Sequence, residues 1–224
     1  MSSLLQQVSE INHSTTLNSL FSSISVDDSW NVGDTKENKM HKLHAYPAKF
    51  PAFITQKAVQ YAKNQGVSIK CIADIFCGCG TTAYEAKRLG IDFWGCDINP
   101  VATLIARAKS RKYKKDKLAL YYHKISHLFS KPDEGHFEYE SLNERIRYWF
   151  ERKQIENLLK LKSCILKAIP KGSIYRDFFL CAFSNILKPA SKWLTKSIKP
   201  QVDPKKNLPN VFDCFRTQFS FMFK

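Results

Sequence analysis

The hydrophobic positions change period several times along the chain, and each change marks an element. A short apolar run over 71–74, Cys-Ile-Ala-Asp, predicts a buried strand. Gly78 and Gly80 then predict a tight turn, and 81–89 predicts a helix. The stretch 91–97, Ile-Asp-Phe-Trp-Gly-Cys-Asp, predicts a second strand with an acid at its carboxyl end. Helical spacing recurs over 53–61, 99–108, 117–129, 141–161 and 175–187, with Pro100 in the first turn of the second of these. Breaks fall at 132–135 (Pro-Asp-Glu-Gly) and 170–172 (Pro-Lys-Gly). Leu142, Ile146, Trp149 and Phe150 stand at i, i+4, i+7 and i+8, an apolar stripe expected to pack in a core or between helices. Before all of these, Leu4, Leu5, Val8 and Ile11 share helical spacing in a stretch rich in Ser, Thr and Asn. That predicts a short amphipathic helix and a flexible arm.

Strand, turn, helix and strand predict an α/β fold, yet no further strands alternate with the later helices. The sheet is therefore expected to be interrupted by a helical insertion. Four regions follow: an arm over 1–36, an α/β half over 37–116, the insertion over 117–187, and a basic segment with the carboxyl-terminal end over 188–224.

Charge narrows the partners. Lys and Arg outnumber Asp and Glu by 35 to 20, giving a net charge of +15, which favours a polyanion such as nucleic acid. Six cations surround one tyrosine over 109–117, and the segment 188–206 interleaves lysines with Trp193, Thr195 and Ser197. Cations, hydroxyls and an aromatic are what a phosphate backbone and a base require. Pro189, Pro200 and Pro204 predict that this segment is a loop. Hydrophobic residues at 44% are enough for a core. No apolar run approaches the ~18 residues that span a bilayer. The first twelve residues lack the pattern of a signal peptide, so the expected compartment is the cytoplasm. Seven cysteines, an odd number scattered through predicted core segments, predict free thiols. Cys77 and Cys79 have no second pair at zinc spacing, and no metal site is expected.

The turn carries the candidate chemistry. A strand feeding a Gly-rich turn and a helix brings backbone N–H groups to a ligand, and an acid about 20 residues on commonly holds a ribose. Asp97 follows Gly78 by 19 positions. The pattern is D-x-F-x-G-x-G-T, without the third glycine of the dinucleotide fingerprint and without the lysine of a P-loop.

Asp74 to Thr81, followed by G-x-D-x-N-P from Gly95 to Pro100, resembles the S-adenosylmethionine (SAM) site of class I methyltransferases. The upstream His44-Ala-Tyr-Pro-Ala-Lys-Phe-Pro51 resembles the companion motif of amino-group DNA methyltransferases, which make N4-methylcytosine or N6-methyladenine, mostly in restriction–modification systems. The likeness continues in Tyr148-Trp149-Phe150 and in S-x-W-x-T-K-S-x-K-P from Ser191 to Pro200, and so covers about 40–205. It implies a partial class I, Rossmann-like fold binding SAM through Tyr46, Lys49, Phe50, Asp74, Phe76, Gly78, Gly80, Thr81, Asp97 and Ile98. Asp74 would face the ammonium of the amino-acid tail, Asp97 the ribose hydroxyls, and Ile98 the adenine. Double-stranded DNA would meet Lys112, Lys114, Lys115, Lys192, Trp193, Lys196, Ser197 and Lys199. The resemblance also makes the insertion a candidate for target recognition.

One family motif is missing. The [DNS]-P-P-[YFW] loop, whose oxygens accept the target amine and whose ring stacks on the flipped base, occurs nowhere in the 224 residues. No catalytic residue is therefore assigned, and the 224 residues are expected to be either one subunit of a split enzyme, with the loop on a second chain, or a truncated product. Two other readings stay open: a non-catalytic nucleic-acid-binding protein with a degenerate fold, and an RNA methyltransferase fragment. No cysteine follows a proline, which disfavours C5-cytosine chemistry.

Overall fold

The switch of period near residue 70 becomes a strand–helix–strand unit with a helix on each side. The computed structural model describes residues 37–47, 49–132, 138–194, 197 and 199–224, and the chain from Lys36 onward groups as one unit. The arm over 1–36 and residues 133–135 of the predicted break lie outside the described residues.

Helix α1, Ala52–Asn64, starts directly after Pro51, whose fixed φ suits the entry. Strands β1, Cys71–Asp74, and β2, Asp92–Gly95, pair in parallel with Cys71 opposite Asp92 and Asp74 opposite Gly95. Helix α2, Thr81–Arg88, joins them. Helix α3, Pro100–Ser110, is capped by Asn99, whose side chain accepts from the Val101 N–H. The result is a mixed α/β arrangement whose sheet, among the described residues, has two parallel strands. The strand expected over 71–74 to be buried is not: exposed and half-buried residues alternate along both strands, Trp94 is exposed on the sheet, and Ile75 and Ile98 are exposed beyond the strand ends.

The helical remainder comprises α4, Lys115–Ser130; α5, Glu144–Trp149; α6, Arg152–Ala168; α7, Ile174–Ala190; and α8, Val211–Phe223. Three points differ from the sequence expectation. The helix over 141–161 is two helices, because Phe150 and Glu151 are extended between α5 and α6. That break frees two adjacent rings for different partners: Phe150 packs on the main core while Trp149 stacks on Trp193. The expected stripe therefore holds only in part: Phe150 packs on the core and Trp149 is half-buried against Trp193, whereas Ile146 is exposed. Second, the basic segment is not wholly a loop. Pro189 lies in the last turn of α7, and a hairpin follows with Trp193 bridging Val202 and Leu194 N–H donating to Gln201 O at 2.8 Å. Third, residues assigned no element form α8. Asn210 caps it by accepting from the Phe212 and Asp213 N–H groups, and Val211, Phe215 and Phe219 at four-residue spacing are buried.

Two cores set the position of the site. The larger joins α4, α6, α7 and α8 through Ile125, Leu161, Ile165, Phe179 and Phe215. The smaller, built of Leu43, Cys79, Ile105, Ala108 and Cys181, packs α7 directly against α3 and the Gly turn. A buried polar knot holds the near side. Glu85, 1% exposed, takes His41 at 2.8 Å, Gln56 Nε2 at 2.6 Å and Arg88 at 3.0 Å. Burial raises the Glu85 carboxyl, but the hydrogen bonds from Gln56, His41 and Arg88 outweigh it and hold the group below its ordinary value.

Candidate functional site

The Gly turn is fixed by its own backbone before any ligand is considered. Phe76 N–H donates to Asp74 Oδ1 at 3.1 Å, Gly80 N–H to Cys77 O at 2.8 Å, and Cys77 N–H crosses to Cys96 O at 3.0 Å. Gly78 and Gly80 both have positive φ, +49° and +74°, for different reasons. A Cβ on Gly80 would lie 2.6 Å from Ala106 Cβ, so that glycine admits α3 beneath the turn. At Gly78 the nearest atom to such a Cβ is 3.9 Å away, which leaves the backbone open.

Asp97 bridges this turn to the next. Its Oδ2 accepts from the Gly78 N–H and its Oδ1 from the Asn99 N–H, both at 2.8 Å. A carboxylate offers about four acceptor sites, so roughly two remain.

The His44–Pro51 segment closes the other side. Lys49 Nζ donates to His41 O at 2.7 Å, and Tyr46 Oη accepts from Asn99 Nδ2 at 3.3 Å. From the helical side, His44 Nε2 pairs with Ser184 Oγ at 3.2 Å, and Ala45 N–H donates to Asn185 Oδ1 at 2.9 Å. The segment is thus strapped between the α/β unit and α7.

A cavity of about 580 Å³ lies between these walls. Tyr46, Lys49 and Phe50 border it from the segment, and Asp74, Phe76, Gly78 and Thr81 from the Gly turn. Its apolar side is made by Ile54, Val59 and Ile72. Gly80, Asp97 and Ile98 are not on its wall: Gly80 is buried against α3, Asp97 sits behind Gly78, and Ile98 is fully exposed. Among the wall residues that the sequence did not single out, Thr55 and Thr82 carry hydroxyls. Thr55 of α1 is 5% exposed, and its Oγ1 has no hydrogen-bond partner among the described residues. A lone hydroxyl on the face Ala52–Thr55–Val59 was its only signal.

The basic residues fall in two places. Lys112, Lys114 and Lys115 are exposed where α3 passes to α4, whereas Lys109 of the same run is buried with its amine 3.7 Å from Cys79 Sγ. Burial, with Lys49 nearby, holds the Lys109 pKa below its ordinary value, so it adds nothing to that surface. Lys192, Trp193, Ser197 and Lys199 share the hairpin, where Ser197 Oγ donates to Lys199 O at 2.7 Å. Lys196 lies outside the described residues.

His44 makes the strap sensitive to acid. Burial, with Lys109 and Lys49 adding repulsion, lowers its pKa from 6.5 to about 4. Between those values the unfolded chain binds a proton that the folded site refuses, so stability falls as pH drops. From pH 7 to pH 5 the loss is expected to be about 2 kcal/mol. Urea midpoints at the two pH values check this, and His44→Gln should shrink the difference by that amount. An unchanged difference would assign the acid sensitivity elsewhere.

The sequence model of a family described as DNA methylase matches residues 6–108. The Type II methyltransferase M.MvaI of Kocuria varians is 27% identical over 172 residues, covering 74% of this chain and 37% of that protein. The Type II methyltransferase M.MjaII of Methanocaldococcus jannaschii is 35% identical over 79 residues, covering 35% of this chain and 14% of that protein. The chain resembles the amino-terminal part of amino-group DNA methyltransferases. It spans little more than a third of the longer of these matches. No solved structure gives a significant match. The family match ends within α3, so it takes in the whole Gly turn, Asp97 and the strapped segment.

Proposed function

We propose that these residues form the SAM-binding, DNA-contacting part of an amino-group DNA methyltransferase of a restriction–modification system. Its fold would be a class I, Rossmann-like sheet completed by residues beyond these 224, on a second polypeptide or in a longer form of the same one. The observation that carries the reading is the 580 Å³ cavity, whose wall unites seven of the ten residues that the motif likeness marks. Two features fit a ligand of this kind: the open backbone at Gly78 and the unpartnered hydroxyl of Thr55.

SAM supplies an activated methyl group when bound. The Asp74 carboxylate suits an ammonium, and the remaining acceptor sites of Asp97 suit a ribose diol. Phe50 offers apolar cover, and Lys49 on the same wall is anchored on His41 O. The exposed Trp94 on the sheet supports the need for further residues to cover it, because parallel sheets are ordinarily covered on both faces. Duplex DNA is the expected polyanion for a surface of this charge.

Calorimetry with S-adenosylhomocysteine tests the cofactor reading. Binding is expected, and Asp97→Ala should weaken it at least tenfold, about 1.4 kcal/mol. Undiminished affinity in that variant would show that Asp97 does not hold the ribose. No binding by the parent, alone or with a complementing chain, would leave the non-catalytic reading. A preference for structured RNA over duplex DNA would favour the RNA methyltransferase.

A further inference from the structure

Lys109 differs from the exposed lysines that follow it. It is 1% exposed near the end of α3, and its Nζ donates to Cys79 Sγ at 3.7 Å. Lysines are almost never fully buried unless paired with a carboxylate or several oxygens. Among the described residues, the acceptor for this amine is a sulfur. Cys79 is itself 4% exposed, stands between Gly78 and Gly80, and borders the 580 Å³ cavity, through which a small oxidant reaches it. Cys181 of α7 belongs to the same small core.

The other thiols keep their protons. Cys71, Cys77 and Cys96 donate to backbone carbonyls at 3.7, 3.8 and 3.4 Å, contacts that hold hydrogen on sulfur. Burial raises the pKa of Cys77, Cys181 and Cys214, that of Cys181 to about 12. Cys79 instead accepts from an amine, and a thiol beside a lysine is one whose proton can leave.

We infer that Cys79 and Lys109 form a site of oxidative modification, at which hydrogen peroxide closes an S–N bond between the Gly turn and α3. Transfer of the thiol proton to Lys109 gives a thiolate beside an ammonium. The thiolate attacks one oxygen of the peroxide and the O–O bond breaks. The departing hydroxide takes a proton from the ammonium and leaves as water. Cys79 is then a sulfenic acid, oxidised by two electrons, and Lys109 a neutral amine. The amine attacks the sulfenic sulfur, the S–O bond breaks, and this hydroxide also leaves as water with a proton from nitrogen. One peroxide is consumed, two waters form, and a sulfenamide remains. Burial, the largest influence on Lys109, lowers its pKa and so favours the neutral amine of the second step. Its flexible four-carbon stem lets Nζ close the distance. The bond fastens α3 to the turn whose Gly78 N–H holds Asp97, whichever ligand the cavity takes.

The 224-residue protein would be treated with hydrogen peroxide, digested and mapped by mass spectrometry. Expected is a pair of peptides joined through Cys79 and Lys109, two hydrogens lighter than their sum and separated again by dithiothreitol. Lys109→Met, which keeps the buried stem without the amine, should lose the joined pair and leave at Cys79 a sulfenic acid that dimedone traps. Cys181→Ala should retain the joined pair. A disulfide between Cys79 and Cys181 in place of the link to Lys109 would overturn the site. So would a loss of two hydrogens confined to the Cys79 peptide, which marks closure on a backbone nitrogen, or an unmodified Cys79 under conditions that oxidise the exposed Cys71 and Cys96. All three are read from the unaltered protein, so the test stands even where a variant fails to fold.

Discussion

Gly80→Ala is expected to cost the fold about 2–5 kcal/mol, while Gly78→Ala, two residues away, costs only about 1–2 kcal/mol. Both glycines sit at positive φ, so each substitution carries the left-handed penalty of about 1–2 kcal/mol. Only at Gly80 does the new methyl meet backbone, with Ala106 Cα at 2.7 Å and its Cβ at 2.6 Å. Neither atom belongs to a flexible side-chain end, so α3 must move away from the turn. Overpacking of that sort adds about 1–3 kcal/mol. Movement of α3 also pulls on Ile105 and Ala108, which hold the smaller core against Cys181 of α7. At Gly78 the methyl enters open space beside the cavity and should obstruct a ligand instead. Urea denaturation separates the two effects from S-adenosylhomocysteine affinity. Equal losses of stability in the two variants would mean that α3 does not depend on a bare backbone at Gly80.

The α/β unit was legible because several local signals agree there. A run of apolar residues ends in Asp74, two glycines reset the backbone, and the period changes to that of a helix at Thr81. Strand and helix boundaries fell within a few residues of those observed. The wall of the cavity was legible as well, though only through motif likeness for Tyr46, Lys49 and Phe50, since nothing local says that a Pro-stiffened loop will face a turn 30 residues on. What ties that loop down comes from α7, in Ser184 and Asn185, about 140 residues away. Sequence spacing cannot reveal such a partnership. The stripe at Leu142–Phe150 held only in part for a related reason: periodicity shows that residues share a face but not what covers it. The preference of Trp149 for Trp193 and of Phe150 for the core breaks the helix between them. Helix α8 was not predicted, although Asn210 and the spacing of Val211, Phe215 and Phe219 announce it. Lys109 shows the opposite error. Counted within a run of surface cations, it is buried under the Gly turn because α3 points its side chain at Cys79.

Methyl transfer to DNA is expected to be undetectable with these 224 residues alone and to appear when a second polypeptide carrying an S-P-P-Y or D-P-P-Y loop is added. The exocyclic amine of cytosine or adenine is a poor nucleophile because its lone pair is conjugated into the ring. It reacts when oxygen acceptors favour pyramidal nitrogen and stabilise the positive charge that develops there. Preorganised groups of this kind contribute the largest single effect in many enzymes, and losing one costs on the order of 10²–10³ in rate. The two nearest candidates in this chain are already engaged. Asn99, before Pro100, spends its Oδ1 on capping α3 and its Nδ2 on Tyr46. Asp203, before Pro204, turns its Oδ1 to the Lys205 N–H inside the hairpin. Neither is followed by a second proline or an aromatic ring, so neither offers the stacking platform that an extruded base needs. Transfer of label from tritiated SAM to duplex DNA, with and without the complementing chain, reads the outcome directly. Turnover by the 224-residue protein alone would require an acceptor that the geometry does not provide, and would redirect attention to Asn99 or to the hairpin residues 191–197.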